Sequence, residues 1–89
     1  MNEDLEDIRK EIDEIDEELI KILARRFEAV KKIGRLKKLS GENPLDIKRW
    51  EEIISSRILR GTLVNLPSEF VKKLFGVIHN LSLDIERKS

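Results

Sequence analysis

Residues 5–36 read LEDIRKEIDEIDEELIKILARRFEAVKKIGRL. In this stretch Leu5, Ile8, Ile12, Ile15, Leu19, Ile22, Ala29, Ile33 and Leu36 recur at alternating steps of three and four. Such spacing gathers apolar side chains into a seam along one side of an α-helix. Asn2 is the expected N-cap, and Glu3 and Asp4 suit the positive end of the helix dipole. Lys37 and Lys38 suit the other end, and Ser40-Gly41 reads as a stop. The pattern predicts one helix of about 35 residues, about 52 Å long at ~1.5 Å per residue. Gly34 inside it costs ~1 kcal/mol relative to alanine, which points to a close backbone approach there.

Beyond the long helix, residues 41–45 form a short loop with Gly41 and Asn43-Pro44 as breakers. A second helix is predicted from Asp46 to about Arg60, with Ile47, Trp50, Ile53, Ile54 and Ile58 on its apolar face and Gly61 ending it. Pro67-Ser68-Glu69 opens a third, in which Phe70, Leu74, Val77, Ile78, Leu81 and Ile85 recur at helical spacing. The tail Arg87-Lys88-Ser89 is expected to fray. Neither a strand signal nor a repeat is visible. The prediction is a single all-α domain over 1–89, with one long N-terminal helix and two shorter ones.

The chain has 89 residues, of which 18 are Lys or Arg and 18 Asp or Glu, for a net charge of zero. A chain of this length has room for one small domain. Zero balance argues against a nucleic-acid partner, which usually selects a basic excess. With no cysteine there is no disulfide framework and no thiolate metal site. No apolar run approaches the ~20 residues that cross a membrane. Met1-Asn2-Glu3-Asp4 is unlike a secretory signal. The expectation is a soluble, cytoplasmic domain. A compact globule of this length has a radius of gyration of only ~12 Å, so two short helices cannot cover a rod of about 52 Å. The remaining stripe is an apolar patch that monomers rarely tolerate. A homodimer with paired long helices resolves this.

The seam has ten positions from 5 to 36, and the one that is not apolar is Arg26. A polar residue there can fix register or oligomeric state. Alternatively it binds an anion: a buried guanidinium costs several kcal/mol unless paired, and no acidic residue shares the seam. Lys37 lies 11 residues on, about 20° short of or past three full turns and ~16 Å along the axis. The two cations therefore share a face, with Val30 and Ile33 between them, and could line one wall of a small-molecule site. Arg9 points ~100° away from Arg26 and could serve the site of a partner chain in an antiparallel pair. Asp46 with Arg49 and Ser82 with Glu86 form helical pairs that are usually solvated surface. His79, the only histidine, reads as a surface or boundary residue, and Trp50 as a packing anchor.

The ordered set IRKEIDEID from Ile8, Ala24-Arg25-Arg26, Ile33-Gly34-Arg35-Leu36-Lys37, Pro44 to Arg49, and Leu74-Phe75 ahead of Ser82 and Glu86 resembles the all-α class of chorismate mutase. The resemblance spans about residues 5–86. It implies an intertwined homodimer of three-helix chains with two shared sites, each taking Arg9 from the other chain. It further implies that Arg26 holds a substrate carboxylate, that Lys37 contacts a carboxylate and the ether oxygen, and that Glu86 faces the ether oxygen. Asp46 falls near the substrate hydroxyl, Arg49 on the carboxylate side, and Ser82 at a polar contact to a carboxylate. Many members of the class have Glu directly after the residue matched by Arg49, where it binds the hydroxyl. Here Trp50 stands in that place, so either Glu51 takes the role or the hydroxyl is held differently.

The implied reaction rearranges chorismate to prephenate without metal or cofactor. It needs a folded conformer held still and a donor to the departing oxygen, which Glu86 can supply only when protonated. The nearest enzymatic alternative is an isochorismate–pyruvate lyase. The alternative of another class is a non-catalytic helical dimerisation or regulatory module.

Overall fold

The structure is a computed structural model that describes residues 4–89. Among these residues three helices and no strand are found: α1 (Leu5–Ser40), α2 (Ile47–Leu63) and α3 (Ser68–Lys88). The N-cap of α1 is Asp4, whose carboxylate accepts the Asp7 N–H at 2.9 Å. The expected cap, Asn2, lies outside the described residues. Glu6 and Asp7 occupy the first turn and Lys37 and Lys38 the last, each at the favourable end of the dipole. Gly41 ends α1 in the left-handed region at φ 76°, its N–H returning to the Lys37 carbonyl.

Two predicted boundaries are corrected. Gly61 does not end α2, which runs two residues further to Leu63. The turn after it is made by Asn65 at φ 65°, with the Leu66 N–H returning to the Gly61 carbonyl at 2.9 Å. Gly61 is instead a contact residue: a Cβ there would lie 2.7 Å from Val71 Cγ2. Nor is the tail frayed. The helix continues to Lys88, Ser89 Oγ donates to the Ile85 carbonyl, and Lys38 Nζ donates to the Ser89 carbonyl at 3.2 Å.

The third helix is the centre of the arrangement, packing against both α1 and α2, which do not pack against each other. It runs antiparallel to α2, since Gly61 meets Val71 near the turn and Trp50 meets His79 further out. Its approach to α1 is closest at Gly34, where a Cβ would lie 2.8 Å from the Cα of Glu86. The glycine that looked costly in the sequence thus admits the backbone of α3. That approach brings the last turns of α1 and α3 side by side.

Little is buried. Val30, Val71 and Ile78 are the only buried apolar side chains among the described residues. Every described residue from Asp4 to Ile22 is exposed, and Leu5, Ile8, Ile12, Ile15, Leu19 and Ile22 are each between 42% and 63% accessible. The chain measures 59 × 24 × 15 Å with a radius of gyration of 16.7 Å, against ~12 Å for a compact globule of its length. Half of α1 is a projecting rod with an uncovered apolar stripe.

Gly34→Ala should therefore destabilise the fold by about 1–3 kcal/mol despite alanine's better helix propensity, because the obstructing atom is backbone. Gly76 has nothing within 4 Å of a built Cβ, so Gly76→Ala should stabilise by about 0.5–1 kcal/mol. Denaturant unfolding of both variants checks the contrast.

Candidate functional site

A cavity of about 300 Å³ opens where the second half of α1, the start of α2 and the second half of α3 converge. Its size falls at the lower end of the range for small-molecule sites. Arg26, Lys37, Asp46, Arg49, Ser82 and Glu86 all line it, as do Val30 and Ile33 between the first two. Glu51 does not: it is exposed on the outer side of α2. Arg9 is also absent from the lining and lies on the projecting part of α1.

At one end, Arg26 donates to Ser82 Oγ at 3.0 Å, and that hydroxyl donates to the Ile78 carbonyl at 2.8 Å. Ser82 is a buried polar residue, and the relay fixes the direction of the Arg26 side chain. Burial, followed by repulsion from Arg57, lowers the pKa of Arg26 from its ordinary value. A guanidinium nevertheless stays charged at any working pH. At the other end, Lys37 Nζ donates to the Pro44 carbonyl at 2.8 Å and lies 2.8 Å from Glu86 Oε1. These side chains are only 18% and 10% accessible, so the pair is shielded from screening by water. Its geometry is that of a charge pair rather than an aligned hydrogen bond. Glu86 Oε1 is buried with no hydrogen-bond partner among the described residues. Its counter-charge is the Lys37 ammonium at 2.8 Å, so this oxygen is compensated by charge rather than by an aligned hydrogen bond.

Asp46 serves the fold as well as the wall. Its carboxylate caps α2 by accepting the Arg49 N–H at 3.0 Å. The Arg49 side chain is more than half exposed and only 3.9 Å from the exposed Glu52 carboxylate, a pair worth little in water.

Besides Pro44 and Ile53, three lining residues were not among the expected site residues. Trp50 stacks on His79 with ring centroids 4.0 Å apart and planes 16° from parallel, and both face the cavity. Trp50 is therefore more than a packing anchor, and His79, a half-buried boundary residue as expected, also belongs to the cavity wall. Arg57 is the third. A helical signal for each was present in the sequence. His79 precedes Ser82 by three residues and Glu86 by seven, and Arg57 follows Trp50 by seven and Ile53 by four, so each shares a face with residues already placed at the site. The cavity wall thus holds four cations (Arg26, Lys37, Arg49, Arg57) and two carboxylates (Asp46, Glu86). That surplus of positive charge, in a chain whose net charge is zero, suits a small anion with more than one acidic group.

A protein-family model described as chorismate mutase type II matches residues 8–87. The chain belongs to that family. The bifunctional chorismate mutase/prephenate dehydratase of Buchnera aphidicola is 34% identical over 80 residues, covering 90% of this chain and 21% of that protein. The protein of the same description from Aquifex aeolicus is 33% identical over 92 residues, covering 97% of this chain and 25% of that one. The Escherichia coli K12 relative is 31% identical over 71 residues, 80% of this chain and 18% of its own length. The chain spans about a fifth to a quarter of the length of these curated relatives. The match to the chorismate mutase family covers nearly all of the three helices and every residue that lines the cavity.

Burial holds the pKa of His79 below its ordinary 6.5; Glu86 opposes this, and Arg26 and Lys37 add to it. A lowered folded-state value means that the fold favours neutral imidazole. The associated stability is present above pH ~6.5 and is lost as pH falls through the folded value. Wild type should then lose more stability between pH 7 and pH 5 than His79→Phe, which keeps a stacking ring and cannot titrate. Unfolding midpoints at the two pH values check this.

Proposed function

We propose that this chain is a chorismate mutase that rearranges chorismate to prephenate in a site shared by two chains. The observation that carries the proposal is the polarity of the cavity. Arg26 on Ser82 stands at one end and Lys37 beside Glu86 at the other, with the apolar Val30 and Ile33 between them.

The substrate has two carboxylates, a ring hydroxyl and an ether bridge. In the rearrangement the ether C–O bond breaks as a C–C bond forms within the same molecule. No group is transferred to the protein, so no nucleophile, metal or redox partner is required. The chain's task is to hold a folded conformer and to stabilise negative charge as it grows on the ether oxygen. Guanidinium groups suit the first part, because their planar fork meets a carboxylate with two parallel hydrogen bonds. Arg26 is the group of this kind whose side chain is already held in place, by Ser82. Confining the reacting carbons near attack distance supplies one share of the rate.

Lys37 and Glu86 supply the other. Donors aimed at the ether oxygen bind it more strongly in the transition state than in the ground state, each contributing ~3–4 kcal/mol. Lys37 is always able to donate. Glu86 can donate there only as the carboxylic acid, since a carboxylate has no proton to give; its Oε1 faces the Lys37 ammonium at 2.8 Å. Asp46, Arg49 and the Trp50–His79 stack border the middle of the cavity, where the ring and its hydroxyl would lie. Glu51, exposed and off the wall, is not assigned to the hydroxyl.

The proposed unit is a homodimer. A second copy laid along the projecting half of α1 would cover the apolar seam and could bring Arg9 of the partner subunit to the open side of the cavity. The substrate is a small, water-soluble dianion, which suits a cytoplasmic setting.

Purified protein should consume chorismate and accumulate prephenate, with no pyruvate released from isochorismate. Pyruvate and salicylate from isochorismate without prephenate from chorismate would reject the mutase in favour of a lyase. Lys37→Met should lower kcat by about 10²–10³-fold. Glu86→Gln, which keeps a hydrogen-bond donor at that position, should retain more of kcat than Glu86→Ala. Equal losses in Glu86→Gln and Glu86→Ala would remove Glu86 from its role.

A further inference from the structure

Arg57 lines the cavity that Arg26 lines, and their charges repel: Arg57 is the second cause, after burial, of the lowered pKa of Arg26. Two guanidiniums in one small, half-enclosed space destabilise each other unless something negative lies between them. Among the described residues nothing does. Neither group is within ion-pair distance of a carboxylate. Their side-chain partners are neutral hydroxyls, Ser82 Oγ at 3.0 Å for Arg26 and Ser56 Oγ at 3.3 Å for Arg57. The two carboxylates in the same wall are otherwise committed. Asp46 caps α2, and Glu86 stands against Lys37. Arg57 also borders a second, more apolar hollow with Leu66, Val71, Leu74 and Phe75, which offers no counter-charge either.

We infer that Arg57 and Arg26 form a two-guanidinium clamp for one carboxylate of the substrate, so that Arg57 is a substrate-binding residue. The inference deepens the mutase reading and rests on it. Arg57 follows Ile53 by one helical turn on α2, and so it faces Arg26 across the end of the cavity opposite Lys37 and Glu86. One carboxylate bridging the two guanidiniums would accept from both forks and turn their repulsion into attraction. The ether oxygen would then be left to the Lys37–Glu86 end. Because this contact is the same in the bound substrate and the transition state, its loss falls on KM rather than kcat.

The test compares wild type, Arg57→Leu and Arg57→Lys. Arg57→Leu should raise KM for chorismate by about 10–100-fold with kcat changed by less than about threefold, and Arg57→Lys should fall between. The thermal midpoint of the ligand-free protein should not drop in Arg57→Leu, because a repulsion has been removed. An unchanged KM overturns the inference. So does weakened association in sedimentation at unchanged KM, which would mean that Arg57 pairs with a carboxylate of a partner subunit. If wild type fails to turn over chorismate, the mutase reading fails separately, and the clamp is then read by stabilisation in malonate at constant ionic strength. A malonate-dependent rise in midpoint that is present in wild type and lost in Arg57→Leu supports the clamp. An equal response in both proteins, including none, overturns it.

Discussion

The rest of the molecule depends on one constraint: α1 carries an apolar seam along its whole length, and its own chain leaves the apolar positions of that seam exposed from Leu5 to Leu36, packing instead on the neighbouring face at Val30 and Gly34. A helix of 36 residues is accompanied by helices of 17 and 21 residues that both gather at one end. The seam from Leu5 to Ile22 stays exposed, and three buried apolar side chains make a very small core. Burial of apolar area is the main driving force of folding, at roughly 25 cal/mol per Å². A chain that leaves this much area in water gains little from folding by itself. The proposed second copy is therefore a requirement of stability before it is a feature of the site.

The same constraint explains where the cavity lies. Projection of the first half of α1 leaves the second half to pack against α3, and the approach is set at Gly34 by the backbone of Glu86. That crossing places Lys37 against Glu86 and Arg26 against Ser82. The α2–α3 hairpin is set in turn by Gly61 against Val71 and by the stack of Trp50 on His79. Two close helix approaches at glycine thus position most of the charged groups. The site carries a cost that folding alone does not repay, since it holds mutually repelling guanidiniums. A dianionic ligand would offset that repulsion, and this is how binding and catalysis are linked in the proposal.

Much of this was legible in the sequence, and the reasons differ by element. The long helix could be read because its period runs over ten seam positions, more than chance spacing allows. Arg26 stood out as the break in that period, and Gly34 as a cost that only a close neighbour explains. The end of α2 was misread because glycine has two uses. Gly61 looks like a stop locally, yet it serves a contact with Val71, ten residues later, that no local rule contains. The place of Trp50, His79 and Arg57 in the cavity wall was missed for a related reason. Their helical faces were computable, but which face of α2 meets which face of α3 depends on a crossing that only the fold fixes. Glu51 was kept as a candidate because a one-residue shift of helix register could have turned it inward. The observed register leaves it in solvent.

The central claim, that the working site is built from two chains, is tested most directly by mixing two inactive variants. Arg9→Ala and Arg26→Ala dimers should each be nearly inactive. After subunit exchange, a hybrid dimer carries one site with both arginines intact and one with neither, so random mixing should restore about a quarter of wild-type activity. Recovery to that level supports a shared site. No recovery, with exchange proven by mass-tagged subunits, would contradict it.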